Sequence, residues 1–256
     1  MFSSGAGSAV AAHRVAERYG TENTVLLFAD VNGEDPDNYR FLAEAAEWVG
    51  GELVTLDNQG RTIWDVFHKE RYLGNSRIDP CSKNLKRIPM RKWLEANCDP
   101  DETQVYLGYD WQEGDRLRRS HAFWKPWMVD CPLMWAPMLD KEQTQRVLYS
   151  AGIDPPLLTR QGFPHANCGG GCVKAGVGHF KHLLRVRPGT YAQWEAEEEK
   201  LRAELGDVSI LRDRRNYQVK PLTLRSLRLR VEAEPSVFPD AEWGGCGCLT
   251  PDEPDA

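Results

Sequence analysis

The sequence predicts an α/β protein: a parallel, twisted sheet with helices on both faces, followed by a helical carboxyl-terminal extension. Three observations lead there. Apolar runs of strand length alternate with amphipathic helical stretches over the first part of the chain, the pattern of parallel strands joined by covering helices. A Ser/Gly turn, Ser3-Ser4-Gly5-Ala6-Gly7-Ser8, opens directly into a helix. After residue 187 the chain turns to strongly charged helical stretches. The units read from this are residues 1–187, an extension over 188–234 rich in Arg and Glu, and a flexible, acidic, cysteine-containing tail over 235–256.

Taken in order, the Ser/Gly turn leads into a helix whose apolar face is Val10, Val15 and Tyr19 with Ala12 and Ala16. Such a turn presents backbone N–H groups at the positive end of a helix dipole, a site suited to phosphate. Gly5 and Gly7 would let the backbone approach an anion, and Ser3, Ser4 and Ser8 add hydroxyls. The plainer reading is a flexible amino terminus before an ordinary helix. Thr24–Ala29 is a strand ending at Asp30, which belongs either at the ligand edge of the sheet or in a plain turn. Asp37 or Asn38 caps a helix through Trp48, Gly50-Gly51 ends it, and Glu52–Leu56 is the next strand. A helix over Thr62–Tyr72 follows. Only Met1 and Phe2 precede the organising turn, where a buried central strand is expected. That strand is either very short or supplied by residues upstream of the numbered start.

Cys81-Ser82-Lys83-Asn84-Leu85-Lys86-Arg87 opens another helix. A thiol there, beside Lys83, Lys86 and Arg87, is expected to have a lowered pKa, and the cations could hold phosphate or sulfate; the plainer reading is a buried cysteine capping an amphipathic helix. Gln104–Tyr109 is a strand, Arg116, Arg118 and Arg119 follow on a helix, and Phe123–Pro137 is rich in Trp and Pro. Asp140 caps a helix over Lys141–Ala151. Cys168-Gly169-Gly170-Gly171-Cys172 places two thiols on a tight glycine loop, which either converge on a metal or cluster or are two small buried residues in a glycine turn. Tyr191–Leu205 and Leu222–Val231 read as helices, and Cys246 and Cys248 lie in the tail.

Composition narrows the function classes. The 256 residues are 41% hydrophobic and 27% charged, enough for a sizeable core, so disorder is not the default. Net charge is −6, with arginines concentrated over Arg185–Arg230 and acids over Glu232–Ala256. The basic segment is compatible with a nucleic-acid partner or with solvated helix faces. No apolar run is long enough to span a membrane, and no secretory signal is evident, so a cytoplasmic location is expected. In that reducing setting the seven cysteines suggest metal or redox chemistry rather than a disulfide framework.

Together these blocks resemble the phosphoadenylyl-sulfate (PAPS) reductase family of the adenine nucleotide α-hydrolase, or PP-loop, superfamily, and most closely its phage- and mobile-element-borne members. Ser3–Ser8 resembles the PP-loop, followed by Phe28-Ala29-Asp30. Cys81–Arg87 is similar to the family's cysteine- and lysine-bearing loop, and Leu158–Cys172 resembles the segment leading into a close cysteine pair. The resemblance covers residues 1–187. The chain departs from the family pattern at Gly7, where the PP-loop usually carries Asp, and at Ser4. A single Cys81 replaces a cysteine pair, and three residues rather than two separate Cys168 from Cys172.

The resemblance implies an adenine nucleotide, ATP or PAPS, bound through Ser3, Ser4, Gly5, Ala6, Gly7, Ser8, Asp30 and Arg116. It implies charge neutralisation by Lys83 and Lys86, and a nucleophilic Cys246 or Cys248. Cys81, Cys168 and Cys172 would hold a 4Fe–4S cluster or Zn, leaving one iron open or completed by Cys246 or Cys248. Mg is a further candidate cofactor, and a homodimer the candidate assembly. Two chemistries follow. A thiolate reduces an adenylyl sulfate to sulfite, or ATP activates a substrate for sulfur transfer, with nucleic acid meeting Arg212–Arg230. The non-enzyme alternative is a nucleotide- or metal-binding regulator of a mobile element.

Overall fold

Val25–Ala29 forms strand β1, which runs parallel to β2 (Glu52–Leu56) in the computed structural model of the chain, where residues 1–215, 218–245 and 248–250 are described. Helix α1 (Ala6–Tyr19) precedes β1, and α2 (Pro36–Val49) joins the two strands. The start of α2 is set by Asp35, whose carboxylate accepts from the Asp37 amide at 3.0 Å, with Pro36 in the first turn. Gly50, at φ +75°, ends the helix. Helix α3 (Ile63–Glu70) is capped by Thr62. A single helical turn, α4 (Pro80–Ser82), runs through a π-helical stretch, Lys83–Arg87, into α5 (Ile88–Asn97).

A second parallel pair, β3 (Gln104–Tyr106) and β4 (Met128–Asp130), is joined by α6 (Gly114–Phe123). The strand expected to reach Tyr109 stops at Tyr106, and the chain then bends so that Gly108 packs on Gly7. Helix α7 (Lys141–Ser150) begins at Asp140 as the sequence predicts, the carboxylate accepting from the Gln143 amide at 2.8 Å. The remaining elements are α8 (Leu157–Arg160), α9 (Val177–Val186), α10 (Pro188–Leu205), the antiparallel pair β5 (Leu211–Asp213) and β6 (Lys220–Leu222), and α11 (Leu224–Ala233). The chain is thus a mixed α/β protein with short parallel strand pairs.

Alternate residues of β1 enter different cores, as the two-residue period of a strand requires. Leu26 and Phe28 pack with Phe2, Val10 and Phe41, whereas Leu27 and Ala29 pack with Met90, Leu94 and Trp124. A third core gathers Phe67, Phe180, Tyr191, Trp194 and Leu227 around Cys81 and Cys172. It runs across the expected boundary at residue 187 without interruption. The extension therefore shares its packing with α3 and α9, and Trp194 stacks edge-on against Trp64 with ring centroids 4.8 Å apart.

Four arginines of the extension pair with carboxylates of the same chain. Arg228 bridges Glu195 and Glu232, Arg225 faces Glu195 and Glu199, and Arg215 and Arg230 share Asp213. The tail, expected to be flexible, is pinned over its described residues. Gly176 and Gly178 donate to the carbonyls of Trp243 and Glu242, and Gly245 donates to Lys174. Thr250 accepts from Arg87 through its carbonyl at 2.8 Å and meets Tyr109 through its hydroxyl at 3.0 Å. Among the described residues, no helix is long and apolar enough to cross a membrane.

Glu198 ties α10 to the elements after it. Its fully buried carboxylate accepts from the amides of Ile210, at 2.9 Å, and Leu224, at 2.6 Å. Burial pushes its pKa up to about 7, only partly offset by those two amides. A carboxyl raised in the folded state binds more protons folded than unfolded between its ordinary value and about 7, so stability falls as pH rises through that window and then levels. Urea midpoints measured from pH 5 to 8 are expected to show this decline, and Glu198→Gln to flatten it while lowering stability at every pH.

Candidate functional site

The Ser/Gly bend forms where Phe2 leaves the edge of β1. Ser4 lies at φ +51° and is buried, its hydroxyl donating to the Ser3 carbonyl at 2.7 Å. Gly5 is the amino-terminal cap of α1. The Ser8 hydroxyl folds back into the bend, accepting from the Ser3 amide at 3.2 Å and the Gly5 amide at 3.3 Å while donating to the Gly5 carbonyl. It sits where a phosphate oxygen could take the same two amides. Gly7 serves packing as well as access. A Cβ there would lie 2.9 Å from the Gly108 carbonyl oxygen.

This bend forms one wall of a cleft of about 510 Å³. Ser3, Gly5, Ala6, Gly7 and Ser8 line it, facing Arg116, Lys141, His165 and the tail residue Cys248. Arg116 stacks over Tyr109, 4.2 Å from the ring centroid, and pairs with Glu113. Asp110 and Glu113 bring carboxylate oxygens to the same wall, the donor type Mg prefers. His165 lies flat against His179, with ring centroids 5.2 Å apart. Both its ring nitrogens are buried with no hydrogen-bond partner among the described residues. Burial, with His179, Lys141, Lys86 and Arg116 adding to it, pushes its pKa down to about 3, so it enters the cleft as a neutral ring.

Behind Cys248 lies a group of thiols. Burial raises the pKa of Cys81, and Asp79, Cys172 and Cys248 raise it further. Cys168 is raised by burial, Glu34, Cys172 and Cys248, and Cys172 reaches about 12 through burial and Cys248. Four thiols from three distant parts of the chain thus lie near enough to influence one another, Cys81, Cys172 and Cys248 buried and Cys168 half-buried. No disulfide joins the six described cysteines. Among the described residues, no three of His, Cys, Asp or Glu form a group placed to hold a metal ion.

Local structure explains how Cys168 and Cys172 are aimed. Cys168 itself adopts φ +53°, and Gly169 and Gly170 continue in the left-handed region, so the chain reverses within a few residues. A Cβ on Gly171 would lie 2.1 Å from the Trp194 ring. The Cys168 amide donates to Glu34 Oε2 at 2.7 Å, and Lys86 Nζ lies 3.3 Å from Glu34 Oε1. Glu34 and Lys86 are both buried, so Lys86 supplies the positive charge nearest Cys168 and Cys172.

Several expectations are corrected. The Cys81 thiol was expected to have a lowered pKa, but its helix is one turn long and Arg87 is committed to Asp79 at 3.1 Å, so burial prevails. Lys86 serves the thiol group rather than the bend, and Lys83 is exposed and outside the cleft lining. Asp30 does not line the cleft. Its carboxylate accepts from the Asn32 amide and the Tyr39 hydroxyl, both at 2.8 Å, as a turn former does. Cys248 is buried beside the other thiols rather than swinging free, and Cys246 lies outside the described residues.

Sequence reasoning missed Glu34, Lys141 and His165. Glu34 sits between Asn32-Gly33 and Asp35-Pro36, where an acid in a turn is unremarkable, and Lys141 read as the first residue of a capped helix. His165 carried one signal, its place just before the Cys-Gly-Gly-Gly-Cys loop. Comparison with protein-family models and with curated protein sequences returns no match for this chain.

Proposed function

We propose that the protein is an adenine-nucleotide-dependent enzyme of the PAPS-reductase type, which binds an adenylyl sulfate in the cleft and holds a 4Fe–4S cluster on Cys81, Cys168, Cys172 and Cys248. One observation carries this reading: the cleft under the Ser/Gly bend and the buried thiol group meet at Cys248. A ligand there would have the first-turn amides of α1, Arg116 and Lys141 for its phosphate oxygens. Neutral His165 offers one ring N–H donor and one ring nitrogen acceptor to the same ligand.

Four thiols suit a 4Fe–4S cluster, in which each cysteine binds a different iron. Burial keeps these thiols protonated on their own, and metal ligation deprotonates them outright. Lys86 offsets part of the negative charge that results. When bound, the cluster supplies fixed charge beside the sulfate. In the reductase reaction a thiolate sulfur bonds to the sulfate sulfur as the bond to the phosphate oxygen breaks, and the adenosine phosphate leaves. A second thiol then takes the first sulfur, releasing sulfite and closing a disulfide. With Cys248 among the ligands, Cys246 is the candidate nucleophile.

The fold belonging to this reading joins the two parallel strand pairs into one twisted parallel sheet with helices on both faces. The split of β1 side chains between two cores supports it. Sulfur transfer to nucleic acid finds less support, because Arg215, Arg225, Arg228 and Arg230 all face carboxylates of the same chain. The regulator alternative draws on the Ser8 hydroxyl, which holds two of the amides an anion would use.

Anaerobically purified protein is expected to carry about four irons and as much acid-labile sulfide per chain. Cys168→Ser and Cys172→Ser should each lose most of it, while Cys131→Ser, in a different core, should not. Given an adenylyl sulfate and a thiol donor, the protein should release sulfite, and Cys246→Ser should not. Protein without iron after anaerobic reconstitution would sink the cluster assignment. Tight nucleotide binding with no sulfite would leave the regulator in its place.

A further inference from the structure

A second cavity, larger than the cleft under the Ser/Gly bend, lies elsewhere in the fold. It measures about 820 Å³ and lies between β1 and β3, lined by Val25, Leu26 and Leu27 on one side and Gln104, Val105 and Tyr106 on the other. Ala11, Ala12 and Val15 of α1 cover one face, and Trp93, Leu94 and Cys98 the opposite one. β1 is paired to β2 on its far side and β3 to β4 on its far side. Two strand edges therefore look at each other across a space walled by helices.

Met1 and Phe2 already occupy one end of that space. The Phe2 amide donates to the Leu27 carbonyl at 2.8 Å, and the Met1 nitrogen donates to the Tyr106 carbonyl at 3.1 Å. Successive nitrogens pointing to opposite neighbours is the signature of a strand with a partner on each side. The side chains alternate too: Phe2 packs in the core with Val10 and Phe41, Met1 against the core with Met90 and Leu94. On β1, the Thr24 carbonyl and the Asp30 amide bond toward β2, so the two-residue period turns the backbone groups of Val25 and Leu27 toward the cavity.

We propose that this cavity is the slot for one extended, apolar polypeptide strand, parallel to β1 and β3 and joined in line to Met1. Its next amide toward β1 would meet the Val25 carbonyl, and its next toward β3 the Gln104 carbonyl, continuing the alternation that Phe2 and Met1 begin. Its side chains would enter a helix-covered core on both faces, so a near-continuous apolar run fits, as in a central parallel strand. The Met1 nitrogen supports this. Burial lowers its pKa to about 6, whereas a peptide amide at the same point makes the same bond to Tyr106 with no charge to bury. The proposal is independent of the nucleotide and the cluster.

The test is three six-residue extensions ahead of Met1 in the full chain: one alternating Val and Ile, one of Gly and Ser, and one carrying Pro at every second position. The Val/Ile extension is expected to raise Tm by about 5 °C or more over the unextended chain. It should also slow hydrogen exchange at the Leu27 amide by tenfold or more. The Gly/Ser and Pro extensions should do neither, the first lacking apolar side chains and the second lacking amides. A Tm and exchange rate unmoved by the Val/Ile extension, or moved equally by all three, overturns the proposal. So does a dimer, seen by sizing chromatography of the unextended chain, that Val25→Lys abolishes, because a second copy would then be the occupant.

Discussion

Replacement of Lys86 by Met is expected to destabilise the fold by roughly 3–5 kcal/mol, the usual cost of removing one partner of a buried ion pair. Lys86 and Glu34 are both buried, and Glu34 also takes the Cys168 amide and lies against Asn38. Burial already raises the Glu34 pKa, and Lys86 is the strongest influence opposing that rise. Without the ammonium the carboxyl rises further, so the folded protein takes up a proton that the unfolded chain releases. Stability lost in this way is greatest at high pH and partly regained as pH falls below the folded value. The Lys86→Met deficit should therefore be smaller at pH 5 than at pH 8. Urea unfolding of wild type, Lys86→Met, and Lys86→Met with Glu34→Gln checks the origin of the loss. The double variant should recover most of the stability, because no charge is left to bury. If it is as unstable as the single variant, the pair is not the source.

Gly108→Ala should remove about 1–3 kcal/mol and weaken nucleotide binding by about tenfold or more. A Cβ on Gly108 would lie 2.7 Å from the Gly7 carbonyl carbon and 2.7 Å from the Ser8 amide nitrogen. Both are backbone atoms, so no side chain can swing aside, and α1 must back away from the end of β3. That shift moves the bend relative to Arg116 and Lys141 across the cleft. Gly5→Ala is the control. Its nearest neighbour would be the Ser3 hydroxyl at 3.7 Å, an ordinary contact, and it should stay within about 1 kcal/mol of wild type. Thermal unfolding and titration with an adenylyl sulfate or ATP report the two effects separately. A Gly108→Ala protein that binds nucleotide normally would show that the contact between these glycines does not set the cleft.

The same glycine contact shows where sequence reasoning reached and where it stopped. Local signals were legible: Asp140 before α7, Gly50 after α2, and the apolar run of β1 each specify their element through neighbouring residues alone. The Ser/Gly bend and the cysteine loop were legible as unusual local chemistry. Gly7 read as room for an anion, because its partner Gly108 lies about a hundred residues away and packs through backbone, which leaves no pattern in the chain. Cys81 read as a reactive thiol because cations stand beside it in sequence, while the burial that prevails comes from residues far along the chain. Cys248 read as mobile from its glycine neighbours, yet Trp243, Gly245 and Thr250 hold its surroundings to α9, the cysteine loop and α6. Glu34 needed two distant partners, Lys86 and the Cys168 amide, before it meant anything at all.

That anchorage of Cys248 has a consequence for biosynthesis. A ribosome delivers Cys81 first, then Cys168 and Cys172, and Cys248 last of the four. The nascent polypeptide thus carries three of these thiols before the fourth exists. Closure of the group then waits until Arg87 and Tyr109 can grasp Thr250, so the order of synthesis makes Cys248 the last of the four thiols to join.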